Sequence, residues 1–271
     1  MNTQCARLVE LLRDRRGLDF SGYRSSAFER RCRSRAEKLG FQDLGDYVSH
    51  VTSHPEEVDA LLDALTINVT SFFRDPWVFE LLAERILPGV VHEKVRRGER
   101  LFRAWSAGCA TGEEAYSLAM MLMEHADMEC LVLGTDLDVK ALDAARKAFY
   151  DEGCVLNVRL GTLKKYFEAV EGGYRVGERV RRRVTFAVHD LCDEHRLVPS
   201  EAVFGDFDLV SCRNVLIYYE KEAQEKIAAK LHRALMPGGL LVLGEVETVP
   251  SPFSRYFLRF TTWCPIYMKV V

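Results

Sequence analysis

The sequence predicts an α/β protein in which a doubly wound, mostly parallel sheet follows an all-helical segment and carries a small antiparallel β insertion. Residues 4–66 space their apolar side chains as helices do and offer no strand candidate. From about residue 100 the rhythm changes to short apolar runs alternating with helical stretches. Residues 155–183 interrupt that alternation with Gly161, Gly172-Gly173 and Gly177 set among aromatic and basic residues.

In the helical segment, Leu8, Leu11 and Leu12 begin one apolar stripe, and Tyr47, Val48 and Val51 fall on another. Val58, Leu61, Leu62 and Leu65 make a third at i, i+3, i+4, i+7. Pro55, with Glu56 and Glu57 behind it, reads as a first helical turn whose acids complement the helix dipole. A further helix is expected over Trp77–Ile86, closed by Pro88-Gly89. The strand candidates are Leu101–Ser106, Cys130–Gly134, Val184–Val188, Phe207–Ser211, Leu240–Gly244 and Ile266–Val271. Helices are expected over Glu113–Met123, Val139–Phe149 and Lys221–Leu235, after which Pro237-Gly238-Gly239 turns the chain into a strand. Glu171–Arg183 reads as antiparallel structure with Gly-containing turns. The expected division is a helical domain at 1–66, a linker and helix at 67–88, and an α/β domain at 89–271 with its insertion at about 155–183.

A chain of 271 residues can bury a large core and still hold a smaller second domain. With 48% hydrophobic and 28% charged residues, wholesale disorder is excluded. A net charge of only −3 argues against a general nucleic-acid binder. The charge is uneven, because residues 1–40 hold ten Lys/Arg against five Asp/Glu. The basic stretch FERRCRSRAEKLG (Phe28–Gly40) has too few aromatics for RNA stacking. Eight scattered cysteines form no C-x-x-C pair and no zinc-spaced cluster, which fits reduced thiols and no metal. Cys109 and Cys212 read as small packing residues. No signal peptide is visible, and no apolar run approaches the ~20 residues of a membrane span. A cytoplasmic protein without direct membrane insertion is expected, and the sequence leaves its oligomeric state open.

Four segments carry chemistry: NVTSFFR (Asn68–Arg74), AGCATGEEAYS (Ala107–Ser117), GTDLD (Gly134–Asp138) and SCRNVLIYY (Ser211–Tyr219). The loop Gly108–Gly112 joins a strand to a helix, where glycine admits a close ligand and the helix offers unpaired N–H groups. It does not read G-x-G-x-x-G. Glu113 and Glu114 stand in the first turn, where acids also complement the dipole. Asp136 lies just past a strand, about 24 residues after Gly112, a position suited to ribose hydroxyls. Asp136 or Asp138 could equally cap the helix beginning at Val139. Asp190 and Asn214 end later strands, where both residue types also stabilise plain turns.

In this order the four segments resemble the CheR family of chemotaxis-receptor glutamate methyltransferases, from about residue 20 to about residue 248. The resemblance implies the doubly wound, Rossmann-like sheet of class I methyltransferases, with ligands outside the carboxyl ends of the strands. It implies S-adenosylmethionine as cofactor, S-adenosylhomocysteine as its product, and methyl esters on receptor glutamates as the result, serving sensory adaptation. The implied cofactor contacts are Asn68, Thr70, Arg74, Glu114, Asp136, Asp190, Leu191, Arg213 and Asn214. Among them Glu114, favoured over Glu113, holds the amino end of the methionine part, and Asp136 holds the ribose. Asp190 accepts the adenine amine with Leu191 packed on the ring. Arg74 and Tyr218 are the implied catalytic residues.

A glutamate carboxyl has a pKa near 4.3, so the nucleophile is ionised at neutral pH and needs no general base. Opposite charges cancel as the methyl moves, so a water-poor site that aligns the reactants is what helps. Arg74 can steer a carboxylate and Tyr218 can position its other oxygen. Arg74 beside Asp75 also reads as a surface pair, and one of Tyr218 and Tyr219 as a core aromatic. The implied partner is the Glu-rich helical cytoplasmic domain of a chemotaxis-type receptor. Arg30, Arg31, Arg33 and Arg35, on or beside one helix, would dock it by charge; a solvated charged face is the plain alternative. Two other classes stay open: a same-fold methyltransferase acting on RNA or a small molecule, and a non-catalytic cofactor-binding signalling domain. Whether the insertion grips a receptor tail is open as well.

Overall fold

Four helices open the chain in the computed structural model, which describes residues 2–66, 68–193, 196–198 and 206–270. They are α1 (Thr3–Arg16), α2 (Ser25–Lys38), α3 (Leu44–Ser53) and α4 (Glu57–Leu65). Side chains set two of the starts: Asn2 accepts from the Cys5 amide at 2.8 Å, and Asp43 from the Gly45 amide at 2.6 Å. The expected stripes face inward, with Leu8, Leu12, Tyr47, Val51, Val58, Leu61 and Leu65 all buried. Their core runs on into one face of the main sheet through Trp105, Leu133, Val210 and Leu243.

Next come α5 (Pro76–Leu81), a π-helical turn over Leu82–Ile86, and α6 (Leu87–Arg96). Pro88-Gly89 therefore lies inside continuous helical backbone where it was expected to close a helix. The π-helical turn just before it accommodates the proline, with Ile86 and Leu87 both kept in the helical region.

The alternating part comprises β1 (Leu101–Ala107), α7 (Glu113–His125), β2 (Glu129–Asp136), α8 (Val139–Lys147), β3 (Phe149–Tyr150), α9 (Leu160–Tyr166), β4 (Phe167–Val170) and β5 (Gly173–Val176). It continues with α10 (Glu178–Arg181), β6 (Val184–Val188), β7 (Phe207–Cys212), α11 (Lys221–Ala234), β8 (Leu235–Leu243), α12 (Ser251–Ser254), β9 (Phe257–Arg259) and β10 (Ile266–Lys269). The large sheet has the order β6-β2-β1-β7-β8-β10-β9. β6, β2, β1, β7 and β8 run parallel, while β10 is antiparallel to both neighbours. All six expected strands lie in it; Val271, the last residue of the expected final strand, lies outside the described residues. A second core of Phe102, Ala104, Leu118, Leu142, Leu209 and Val242 covers the other face, as a parallel sheet requires.

The insertion forms the small antiparallel sheet β3-β5-β4. Its hairpin begins at Phe167, earlier than Glu171, and the sheet also takes in Phe149, read as the last residue of a helix. Ala148 adopts φ 53°, ends α8 at Lys147, and sends Phe149-Tyr150 to pair with β5. Strand order reverses between β1 and β7, which opens a crevice at the carboxyl edge. Among the described residues no helix is long and apolar enough to cross a membrane.

Candidate active site

That crevice collects the sequence motifs. After β1 the chain turns through Gly108 at φ 80°, Ala110 at 46° and Gly112 at 93° before α7 starts. A Cβ on Gly108 would meet Val215 Cγ2 at 2.5 Å, so the loop can pack on the turn after β7 only without a side chain. Two adjoining cavities share Gly108, Asn214 and Tyr218. Thr70, Arg74, Glu114 and Arg213 line the first; Asn68, Asp136, His189 and Leu191 line the second.

Neighbouring acids separate into two kinds. Asp136 accepts from the Ala110 amide at 2.7 Å and the Asp138 amide at 3.0 Å. Burial raises its carboxyl above the usual range against the pull of those amides, and no Lys or Arg among the described residues forms an ion pair with it. Asp138 is the cap of α8, accepting from the Lys140 and Ala141 amides at 2.9 and 3.1 Å. Thr66 Oγ1 and Asn68 Nδ2 also donate to it at 2.9 and 2.7 Å. Burial opposes its ionisation, but these bonds, led by that from Asn68, hold its carboxyl below the usual range. Glu113 turns into the protein, bound by Thr111 Oγ1 at 2.7 Å, and burial pushes its carboxyl up. Glu114 faces the first cavity, accepting from Ser106 Oγ at 2.7 Å with Arg213 Nη1 at 3.4 Å.

The cations separate too. Arg213 is buried beneath the cavity, donating to Asp75 Oδ2 at 2.7 Å and to the Arg74 carbonyl at 2.9 Å. The surface pair considered for Arg74 and Asp75 therefore does not form, because Asp75 is taken by Arg213. Arg74, half-buried at the first cavity, donates to the Val69 carbonyl at 3.2 Å and pairs with no carboxylate among the described residues. Asn214 sits at φ 59° on both cavities, and its buried Oδ1 has no partner among the described residues.

Tyr218 closes a 3₁₀ turn and lines both cavities. Its ring stacks on Tyr23, from the α1–α2 connection, at 6.0 Å and 6°. Tyr219 is the core aromatic of the pair, buried edge-on against Tyr23. Asp190 lines neither cavity: its Oδ1 accepts from the Cys192 amide at 2.7 Å, the turn role open to it from the start, while Leu191 lines the second cavity.

The four arginines of α2 do not share one face, as the ~100° step of a helix requires. Arg35 is turned to α4, where it binds buried Glu57 through two 2.8 Å hydrogen bonds. Arg31 donates to the Leu65 carbonyl, and its guanidinium lies 5.3 Å from the centre of the Tyr218 ring. Only Arg33, paired with Glu29 at 2.7 Å, and exposed Arg30 point outward. Sequence reading passed over Tyr23, Ser106 and His189. Each sits in a connection or strand that reads as packing, and no local motif marks it.

Comparison with known proteins agrees with this layout. The model of the CheR methyltransferase SAM-binding domain matches residues 68–263, and that of the CheR all-alpha domain matches residues 3–66. An uncharacterized 104.1 kDa protein of Rhodobacter capsulatus is 33% identical over 95% of this chain, which spans 27% of that protein. The probable biofilm formation methyltransferase WspC of Pseudomonas putida is 35% identical over 91% of this chain, which spans 57% of it. The chemotaxis protein methyltransferase of Escherichia coli is 33% identical over 94% of this chain, which spans 88% of it. The chain belongs to the CheR methyltransferase family, with both its all-alpha domain and its S-adenosylmethionine-binding domain.

Proposed function

We propose that the chain is an S-adenosylmethionine-dependent protein-glutamate O-methyltransferase acting on chemotaxis-type receptors. The observation that carries this reading is Arg74, a half-buried guanidinium free of any described carboxylate, beside the chamber formed by Asp136 and Asn214. The cofactor suits the residues present. Asp136 offers a carboxylate to ribose hydroxyls, Asn214 Oδ1 is an acceptor in want of a donor, and Glu114 can take a cationic amino group. Leu191 gives the second cavity an apolar wall and His189 a flat ring. Thr70 lines the first cavity and Asn68 the second, and Arg213 holds the Arg74–Asp75 segment in place.

When bound, the cofactor supplies an electrophilic methyl on a sulfonium. This chain's residues do the rest: Arg74 steers the glutamate carboxylate, and the Tyr218 hydroxyl donates to its other oxygen. Tyr23 keeps the Tyr218 ring from rotating away. No base is required, since the glutamate is already ionised.

Residues 1–66 act as the receptor-recognition domain, 67–88 as linker, and 89–271 as the catalytic domain. The partner is the Glu-rich helical cytoplasmic domain of a receptor, met by Arg30 and Arg33, and the enzyme works in the cytoplasm where that domain lies. Incubation with methyl-labelled S-adenosylmethionine and receptor cytoplasmic domains should label the receptor, and mild alkali should release the label as methanol. Alkali-stable label, or label only in RNA or small molecules, overturns the proposal.

A further inference from the structure

One buried carboxylate at the carboxyl edge lines neither cavity. Glu247, four residues beyond β8, is 4% exposed. Its Oε2 accepts from the Gly244 amide at 2.6 Å and the Asn214 amide at 2.8 Å, and its Oε1 from the Ile217 amide at 3.2 Å. It thus ties the end of β8 to the turn that leaves β7, the turn carrying both Asn214 and Tyr218. Among the described residues no Lys or Arg forms an ion pair with it, and its hydrogen-bond donors are main-chain N–H groups. Two backbone facts show that the contact is built. Asn214 holds φ 59°, the left-handed region that asparagine tolerates better than most residues, and its amide is held there by Glu247. At Gly244, an added Cβ would lie 2.6 Å from Glu247 Oε2 and 2.9 Å from the Asn214 nitrogen, so only glycine lets the carboxylate in.

We infer that Glu247 is a positioning residue for methyl transfer: through three main-chain amides its carboxylate fixes the Asn214–Tyr218 turn, aiming Asn214 at the cofactor and Tyr218 at the substrate. It touches neither ligand. The inference rests on the methyl-transfer reading of the site.

The chemistry separates positioning from packing. Both oxygens of Glu247 face N–H donors, so glutamine, equal in volume, would turn an NH₂ group toward a donor on one side. A space-filling role is rescued by Glu247→Gln; a role as double acceptor is not. The test compares wild type with Glu247→Gln and Gly244→Ala by thermal melting, calorimetry with S-adenosylhomocysteine, and steady-state methylation of a receptor cytoplasmic domain. Both variants are expected to weaken S-adenosylhomocysteine about tenfold, the scale of one lost charge-assisted hydrogen bond. They should lower kcat about 100-fold, the scale of a small misplacement, with the receptor KM unchanged. Wild-type kcat and affinity in Glu247→Gln overturn the inference. So does a variant that melts early yet keeps full activity per folded molecule. If wild type itself neither binds S-adenosylhomocysteine nor methylates, the functional reading fails; if only the variants match wild type, the role of Glu247 alone fails.

Discussion

Glu57 in the helical layer and Asp136 at the carboxyl edge of the sheet are both acids withdrawn from water, yet their surroundings differ. Glu57 receives Arg35 through two 2.8 Å bonds and the Tyr47 hydroxyl at 2.8 Å, and the Arg35 bond leads in holding its carboxyl below the usual range. Among the described residues Asp136 receives only main-chain amides, and burial leaves its carboxyl raised. The cations mirror the acids: Arg35 is spent on a partner, while Arg74 has no described carboxylate. An acid or cation answered inside the protein holds the fold; one left partly unanswered in a cavity keeps its interaction for a ligand.

The largest effect should come from the free cation. Arg74→Ala is expected to lower kcat/KM for methyl transfer roughly 100-fold, the scale of lost substrate alignment, with an unchanged melting temperature. Equal losses in cofactor affinity and turnover would make Arg74 a cofactor ligand and blur the contrast. Glu57→Ala should do the reverse. Removing it leaves Arg35 and the buried Tyr47 hydroxyl without their acceptor, costing about 2 kcal/mol, or roughly 4–8 °C in Tm, with full activity per folded molecule.

A smaller effect is expected on the outward face of α2. Reversing Arg30 and Arg33 to Glu should raise the receptor KM roughly fivefold and leave cofactor affinity alone. Raised salt should weaken the wild-type rate at limiting receptor, because exposed charges are screened over about 8–10 Å. Normal receptor kinetics in the reversed variant would reduce that face to a solvated surface.

The smallest effect is in the pH dependence of stability without ligand. Glu57 titrates below its ordinary 4.5 when folded, so its contribution is present above that value and lost as pH falls through the lowered one. Asp136 titrates above its ordinary 3.8, so stability declines as pH rises from there through the raised value. Glu57→Gln should flatten the first slope and Asp136→Asn the second in urea titrations across pH.

The strands and the cofactor-edge motifs were legible because buried parallel strands read as largely apolar runs and their ends fall near Gly, Asp and Asn. Glu113 and Glu114 could not be separated until α7 turned one inward and one to the cavity. Arg35 read as a docking cation because its partner Glu57 lies across a helix–helix contact, which periodicity does not encode. Pro88 misled for a local reason, since the π-helical turn just before it lets the helix run on. Glu247 went unmarked because its partners are main-chain amides, which leave no trace in side-chain patterns.

Calorimetry of S-adenosylhomocysteine with wild type and Asp136→Ala tests the central contrast most directly. Loss of a charged hydrogen-bonding group should weaken binding by about 1–3 kcal/mol, roughly tenfold to a hundredfold, with the melting temperature of the free protein not lowered. Unchanged affinity with a lowered melting temperature would place Asp136 beside Glu57 as a structural acid and contradict the account.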